Sequence, residues 1–246
     1  MLEKILDYEG EAFLWLNSYH TPFENQFMWL FSGKIFWIPS MILFIFMLFY
    51  KNIKHWKETL IILMAIALVI TLCDQFASGI CKPIFTRSRP THHPEFMDKV
   101  RTVFDYRGGR FGFISSHAAN AFGFATLTSL IFKYRFYSVV LYLWAIINSY
   151  SRIYLGVHFI SDIIPGIIVG LLFGWGVYKL FVFACKKMPV YKTAVNNCRM
   201  KEIFRIQTCS SENLNIILYM LIFTVAVMLI ISSLYALKLI SSVTIK

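Results

Sequence analysis

The sequence predicts an all-α protein, a polytopic membrane helix bundle of about six transmembrane helices preceded by an N-terminal interfacial helix. Three observations carry that reading. The 246 residues are 58% hydrophobic and 17% aromatic but only 15% charged, which excludes an ordinary soluble domain and a disordered chain. The apolar residues gather in runs of about 20, the length a helix needs to cross a bilayer. The basic residues sit in short clusters between those runs.

The elements follow in order. Within residues 1–25, the stretch 5–19 mixes acids with Ile5, Leu6, Phe13, Leu14, Trp15 and Leu16, which suits an amphipathic helix lying in the interface. The acidic start, MLEKILDYEGEAF, lacks a basic region ahead of an apolar core and is no cleavable signal peptide. Spans are predicted over 26–50, 59–81, 118–132, 136–154, 162–184 and 215–238. The third is short and extends backward through Phe113 and Ile114. No repeat or low-complexity linker divides the chain, so 26–184 reads as one membrane domain. Residues 185–214 read as a basic cytoplasmic connection and 215–246 as a C-terminal transmembrane helix.

Orientation follows from the excess of Lys and Arg on cytoplasmic loops. Lys51, Lys54 and Lys57 follow the first span, and Lys133 and Arg135 the third. Lys186, Lys187, Lys192, Arg199, Lys201 and Arg205 follow the fifth. Those connections are placed in the cytoplasm, and the acidic N-terminus, with Glu3, Asp7, Glu9, Glu11 and Glu24, outside. Parity then puts the connection 82–117 outside despite Lys82, Arg87, Arg89, Lys99, Arg101, Arg107 and Arg110. Positive charge retained on the disfavoured side points to a task beyond lipid contact.

The formal net charge of +11 fits three partners: nucleic acid, anionic lipid head groups or a phosphorylated substrate. Clusters confined between apolar spans argue against nucleic acid and for the bilayer with a phosphorylated lipid. Nothing indicates an obligate protein partner. The five cysteines form no CxxC pair and no ligand spacing with histidine, and their odd number excludes a complete disulfide framework. No metal site and no cofactor is expected.

The stretch FGFISSHAANAFG places Ser115, Ser116 and His117 at the start of a small-residue helix. Serine there caps a helix. The same free N–H groups and the dipole also suit a phosphate. Two further clusters share the same outer side: KPIFTRSRP, with Lys82 and Arg89 seven residues apart, and SRIYLGVHFISD, with Arg152, His158 and Asp162. Lys and Arg supply a point charge and a bidentate fork for phosphate. His158 and Asp162 are four apart, so on a helix they share a face. The carboxylate then accepts a hydrogen bond from Nδ1–H and leaves Nε2 free as a nucleophile. Gly156 breaks the helix between Arg152 and His158 and lets the two converge. The plainer alternative is that His158 and Asp162 only cap the fifth span.

In order and spacing these three stretches resemble the signature of the type 2 phosphatidic acid phosphatase family: KxxxxxxRP, PSGH and SRxxxxxHxxxD. The match covers about residues 74–175. Ile114 stands for the motif proline and Ser116 for its glycine. The resemblance implies that Lys82, Arg89 and Arg152 bind phosphate, with Ser115 and the backbone at Ser116 beside them. It further implies that His158 attacks phosphorus to give a phosphohistidine, that Asp162 orients it, and that His117 is the general acid. No metal is needed in that family. The expected activity is hydrolysis of a lipid phosphomonoester or diphosphate at the periplasmic face of a bacterial inner membrane. Lipid A phosphate, undecaprenyl diphosphate, phosphatidylglycerophosphate and phosphatidic acid all remain open as substrates. Related haloperoxidases share the constellation but resemble soluble proteins. A transporter or scaffold that binds phosphorylated lipid without hydrolysis is the other alternative, since Asp74, Gln75, Asn148 and Arg152 lie in or near spans.

The topology is testable in intact cells. A single cysteine replacing Thr102 in a cysteine-free background should react with an impermeant maleimide. Protection there, with labelling of a lone Cys198, would reverse the orientation.

Overall fold

In the computed structural model the described residues are 2–50, 56–186 and 211–244. They form α1 (Leu2–Leu16), α2 (Pro22–Ser32), α3 (Ile38–Phe49), α4 (Trp56–Asp74), α5 (Lys82–Phe85), α6 (Ser116–Phe132), α7 (Arg135–Tyr154), α8 (Ile160–Lys186) and α9 (Ser211–Thr244). A π-helical stretch, Gln75–Cys81, joins α4 to α5. Among the described residues there is no strand, only one antiparallel bridge between Ser88 and Phe111. The fold is an all-α membrane bundle.

Three stretches are long and apolar enough to cross a membrane: Thr59–Phe85, Ile160–Cys185 and Glu212–Ser242. The predicted span 26–50 is broken instead, with Pro22–Ser32 and Ile35–Phe49 meeting at 64°, and counting that pair as one span gives four. Six is not reached on length and composition, for a physical reason. The helix α6 has only 17 residues and is buried along much of its length, from Ala118 to Phe132, so it meets protein rather than lipid. Its neighbour α7 ends in Asn148, Ser149, Ser151 and Arg152, all buried polar groups that serve the interior. Outward faces are apolar, as lipid requires: Met41, Ile42, Met64, Leu172, Trp175 and Leu234 are all exposed. The connections carrying Lys51, Lys54, Lys187, Lys192, Arg199, Lys201 and Arg205, together with Cys198 and Cys209, lie outside the described residues. Cys73, Cys81 and Cys185 are buried.

The N-terminal helix has an exposed side, with Tyr8 and Trp15, yet Phe13 on it is wholly buried against Ala118, Ile153, Phe159 and Ile163. Just beyond its end the Asn17 amide donates to the carbonyls of Arg101 and Tyr154, at 3.1 and 2.9 Å, and its oxygen accepts from Arg101 N at 2.8 Å. This helix is therefore keyed into the bundle.

The centre of the fold is the crossing of α6 with α8. Gly166, Gly170 and Gly174 recur every fourth residue along one face of α8. A Cβ at these positions would lie 2.7 Å from Ser115 O, 2.5 Å from Ala119 O and 2.8 Å from Gly123 O respectively. The two backbones touch, as small-residue stripes permit in membranes, where apolar surface alone does not drive helices together. Gly123 in turn admits Cys73 of α4, whose Sγ would stand 2.9 Å from an added Cβ. This contact fixes the height of α6 against α8. It brings the α6 N-terminus, the α8 N-terminus, the α7 C-terminus and α5 to one end of the bundle, beneath the connection 86–115.

Gly170→Ala should lower the unfolding temperature in detergent, because a 2.5 Å approach to a carbonyl forces the helices apart, at a cost of about 1–3 kcal/mol. Gly176→Ala, which meets nothing within 4 Å, is the control and should be neutral or gain up to about 1 kcal/mol of helix propensity. Equal unfolding temperatures for the two variants would refute the packing account.

Candidate active site

The chain leaves α7 through a glycine turn. Gly156 takes φ +74 and donates to Ile153 O at 2.9 Å, while Val157 N donates to Arg152 O at 3.0 Å. That pair of bonds is the Schellman closure, and it explains why a glycine stands there. It reverses the chain so that Arg152, inside the last turn of α7, and His158, beyond it, face the same space.

His158 precedes α8 rather than lying on it, so the four-residue spacing to Asp162 works differently from a shared helical face. Asp162 sits in the first turn of α8 and reaches back. Its Oδ2 accepts from Phe159 N at 3.1 Å and from His158 Nδ1 at 3.3 Å. The first contact is one half of a capping box. The carboxylate that caps α8 is therefore also the one that faces the His158 ring. Both residues are buried, Asp162 completely. Burial first, then the charges of Arg89, Arg152, Lys82 and Arg87, hold the His158 imidazole well below its ordinary value. It is neutral near pH 7, with Nδ1–H directed to Asp162 and the Nε2 lone pair free.

The cationic residues are brought together around this histidine. Lys82 Nζ donates to Ser78 at 3.0 Å and to Ser116 Oγ at 3.5 Å, which ties α5 to the start of α6. Thr86, in the left-handed region at φ 43, turns the chain back so that Arg89 returns over the site. Arg89 is buried and held by the carbonyls of Phe111 and Val157, at 3.1 and 3.3 Å. Arg152 is buried, donating to Ser32 at 2.5 Å and to Tyr106 at 3.3 Å, while its Nε makes no hydrogen bond in the structure. Ser115 is the N-cap of α6: its Oγ accepts from Ala118 N at 3.4 Å, and its own N donates to Asp162 O at 2.9 Å. Ser116 and His117 form the first turn, with His117 in electrostatic range of Arg152, His158 and Arg89. Every residue singled out from the sequence lies at this one end of the bundle.

Other residues at the site escaped the sequence. Arg87 donates to Asp162 Oδ1 at 2.9 Å, to Glu9 Oε2 at 3.0 Å and to Ser161 Oγ. Glu9 also accepts from Ser161 N at 2.8 Å. Tyr106 and Ser32 seat Arg152. Gly112 packs on the His158–Asp162 pair, since a Cβ there would lie 2.9 Å from Asp162 Oδ2 and 3.6 Å from His158 Nδ1. Arg87 was readable as the extra cation in KPIFTRSRP; Glu9, Tyr106 and Ser32 come from distant segments without a local signal. No group of three or more His, Cys, Asp or Glu among the described residues could hold a metal ion.

Residues 58–185 match the profile of the PAP2 superfamily. The chain belongs to that superfamily. A curated relative named lipid A 4'-phosphatase, from Porphyromonas gingivalis, is 48% identical over 183 residues, 74% of this chain and 77% of that protein. A second of the same name, from Bacteroides thetaiotaomicron, is 40% identical over 190 residues, 76% of this chain and 81% of that protein. The crystal structure of a transmembrane PAP2 type phosphatidylglycerolphosphate phosphatase from Bacillus subtilis shares the fold. Its TM-score is 0.55 at 21% identity, over 76% of this chain and 89% of that one. The protein is an integral-membrane lipid phosphatase.

Gly112→Ala tests the geometry without removing a functional group. The methyl would press on Asp162 Oδ2 and on Arg89 Cγ, so kcat should fall about tenfold, equivalent to about 1.4 kcal/mol, with folding intact. Gly109→Ala, with nothing within 4 Å, should keep full activity. Equal rates for both variants would show the pair to be tolerant of its roof.

Proposed function

We propose that the protein removes a phosphate from lipid A at the periplasmic face of a bacterial inner membrane, through a phosphohistidine. The observation that carries this is a buried, neutral His158, oriented by Asp162 and surrounded by Lys82, Arg89 and Arg152. Two relatives named for lipid A 4'-phosphatase activity support the substrate. So does the row of cations over 82–117, which suits a large polyanionic head group. The periplasmic placement rests on the parity of the predicted spans.

In the proposed reaction the phosphoryl group lies among the three cations, and the unpaired Arg152 Nε supplies one donor. Backbone N–H groups at the start of α6 supply others. The His158 Nε2 lone pair attacks phosphorus as the bond to the sugar oxygen breaks; His117, whose imidazole burial and Arg152 hold below its ordinary value, takes up a proton as the phosphate dianion enters and gives it to that oxygen. The phosphorylated imidazole is cationic, and Asp162 stabilises it through Nδ1–H. A water molecule then attacks phosphorus while His117 takes its proton. The P–N bond breaks, inorganic phosphate leaves, and His158 returns neutral. Cations and helix N–H groups perform the charge stabilisation that a metal supplies in other phosphatases.

Purified protein in detergent should release phosphate from lipid A faster than from undecaprenyl diphosphate. His158→Ala should reduce turnover to background. Rapid quench with ³²P-labelled lipid should trap acid-labile, base-stable label on the wild type only. Label persisting in His158→Ala would remove that residue from its role, and faster turnover of the diphosphate would overturn the substrate.

A further inference from the structure

We infer that Glu9, on the N-terminal helix, is a positioning residue for the catalytic carboxylate, acting through Arg87. The inference rests on the His158–Asp162 reading of the reaction.

The geometry is a chain of charged hydrogen bonds. Glu9 Oε2 accepts from Arg87 Nη2 at 3.0 Å, Arg87 Nη1 donates to Asp162 Oδ1 at 2.9 Å, and Asp162 Oδ2 faces His158 Nδ1 at 3.3 Å. The side chains of Arg87 and Glu9 are only 26% and 13% exposed, so solvent screens this chain far less than a surface ion pair. Both terminal nitrogens of Arg87 are engaged, and its guanidinium lies over the Phe159 ring at 4.7 Å. It is built to hold a carboxylate, in contrast to Arg152, whose Nε is unpaired.

Glu9 does two things with its two oxygens. Oε2 fixes Arg87, and Oε1 accepts from Ser161 N at 2.8 Å, in the first turn of the helix that carries Asp162. One carboxylate thereby joins three segments: α1, the return from α5, and the start of α8. Its charge also balances Arg87. Without it, the full positive charge of Arg87 would fall on Asp162 and weaken the hold of that carboxylate on the imidazolium-like intermediate. Phe13 and Asn17 anchor α1 independently of Glu9, through the buried cluster and the bonds to the Arg101 and Tyr154 carbonyls. The N-terminal helix is thus part of the catalytic apparatus, and the site is complete only with α1 docked.

The test uses full-length protein in detergent, with phosphate release from lipid A as the assay and unfolding temperature measured alongside. Glu9→Gln keeps an acceptor for Ser161 N and loses only the charge on Arg87. It should lower kcat about tenfold or more, with KM within about twofold and an unchanged unfolding temperature. Arg87→Gln should do at least as much. The double variant should be no slower than Arg87→Gln alone, because Glu9 acts through Arg87. Independent, multiplying losses in the double variant would overturn the relay. A raised KM with unchanged kcat in Arg87→Gln would make Arg87 a phosphate ligand and overturn it too. So would rate losses that merely follow the unfolding temperature. Turnover by His158→Ala under the same assay would sink the underlying mechanism instead, whatever the Glu9 variants do.

Discussion

The backbone contact between α6 and α8 is the constraint from which the site follows. Three glycines on α8 let carbonyls of α6 approach to distances that no side chain would tolerate. That contact sets the register of the two helices, and the register makes Ser115 N donate to Asp162 O at 2.9 Å. The first turn of α6 and the carboxylate-bearing turn of α8 are thereby joined by a main-chain bond. Side-chain rotamers then have little to decide. A shift of one helix by a turn, about 5.4 Å, would separate His117 from His158 completely.

The electrostatics of the site follow from how its one buried carboxylate is satisfied. Asp162 takes Phe159 N, His158 and Arg87, and Glu9 compensates Arg87. None of Lys82, Arg89 and Arg152 has an ion pair in the structure; each is held by neutral hydroxyls, a phenol or carbonyls. Hydroxyls and carbonyls orient a cation without cancelling its charge. A buried cluster of like charges is costly, and under the proposed function a phosphate dianion relieves that cost. On that proposal the stability that the arrangement forgoes becomes affinity for the phosphoryl group, and more so for its transition state.

How far this was legible in the sequence varies with the range of the interaction. His158 with Asp162, and Gly156 with Arg152, are short-range relations, and the spacing alone located them. The reason for the spacing was not legible, since it is a capping box at the start of α8 rather than two side chains on one helical face. The glycine stripe 166–170–174 stood in the sequence as a small-residue repeat. Periodicity analysis aimed at apolar faces passes over residues that lack side chains. Glu9 is 78 residues from Arg87 and 152 from Ser161, and no local pattern links them. Read locally, Glu9 was an acid on an interfacial helix. The count of six spans is not confirmed by length and composition, for two reasons: α6 is interior, and α2–α3 bends at Ser32–Gly33, where Ser32 meets Arg152.

The two departures from the family signature become intelligible at this level. Ile114 is buried beside Ala77 and Cys81, so it anchors the approach to α6 on the π-helical end of α4 by packing, where proline would do so by stiffness. Ser116 brings a hydroxyl within 3.5 Å of Lys82, which glycine would leave with Ser78 alone. Its backbone is ordinary helix, so the N–H that the family glycine offers is still directed along the helix axis. The alternatives posed by FISSHAAN were therefore never exclusive. Ser115 caps α6 with its oxygen, and because the cap satisfies only one of the free N–H groups, the others remain to receive an anion. A helix start is a good phosphate site for the same reason that it needs a cap.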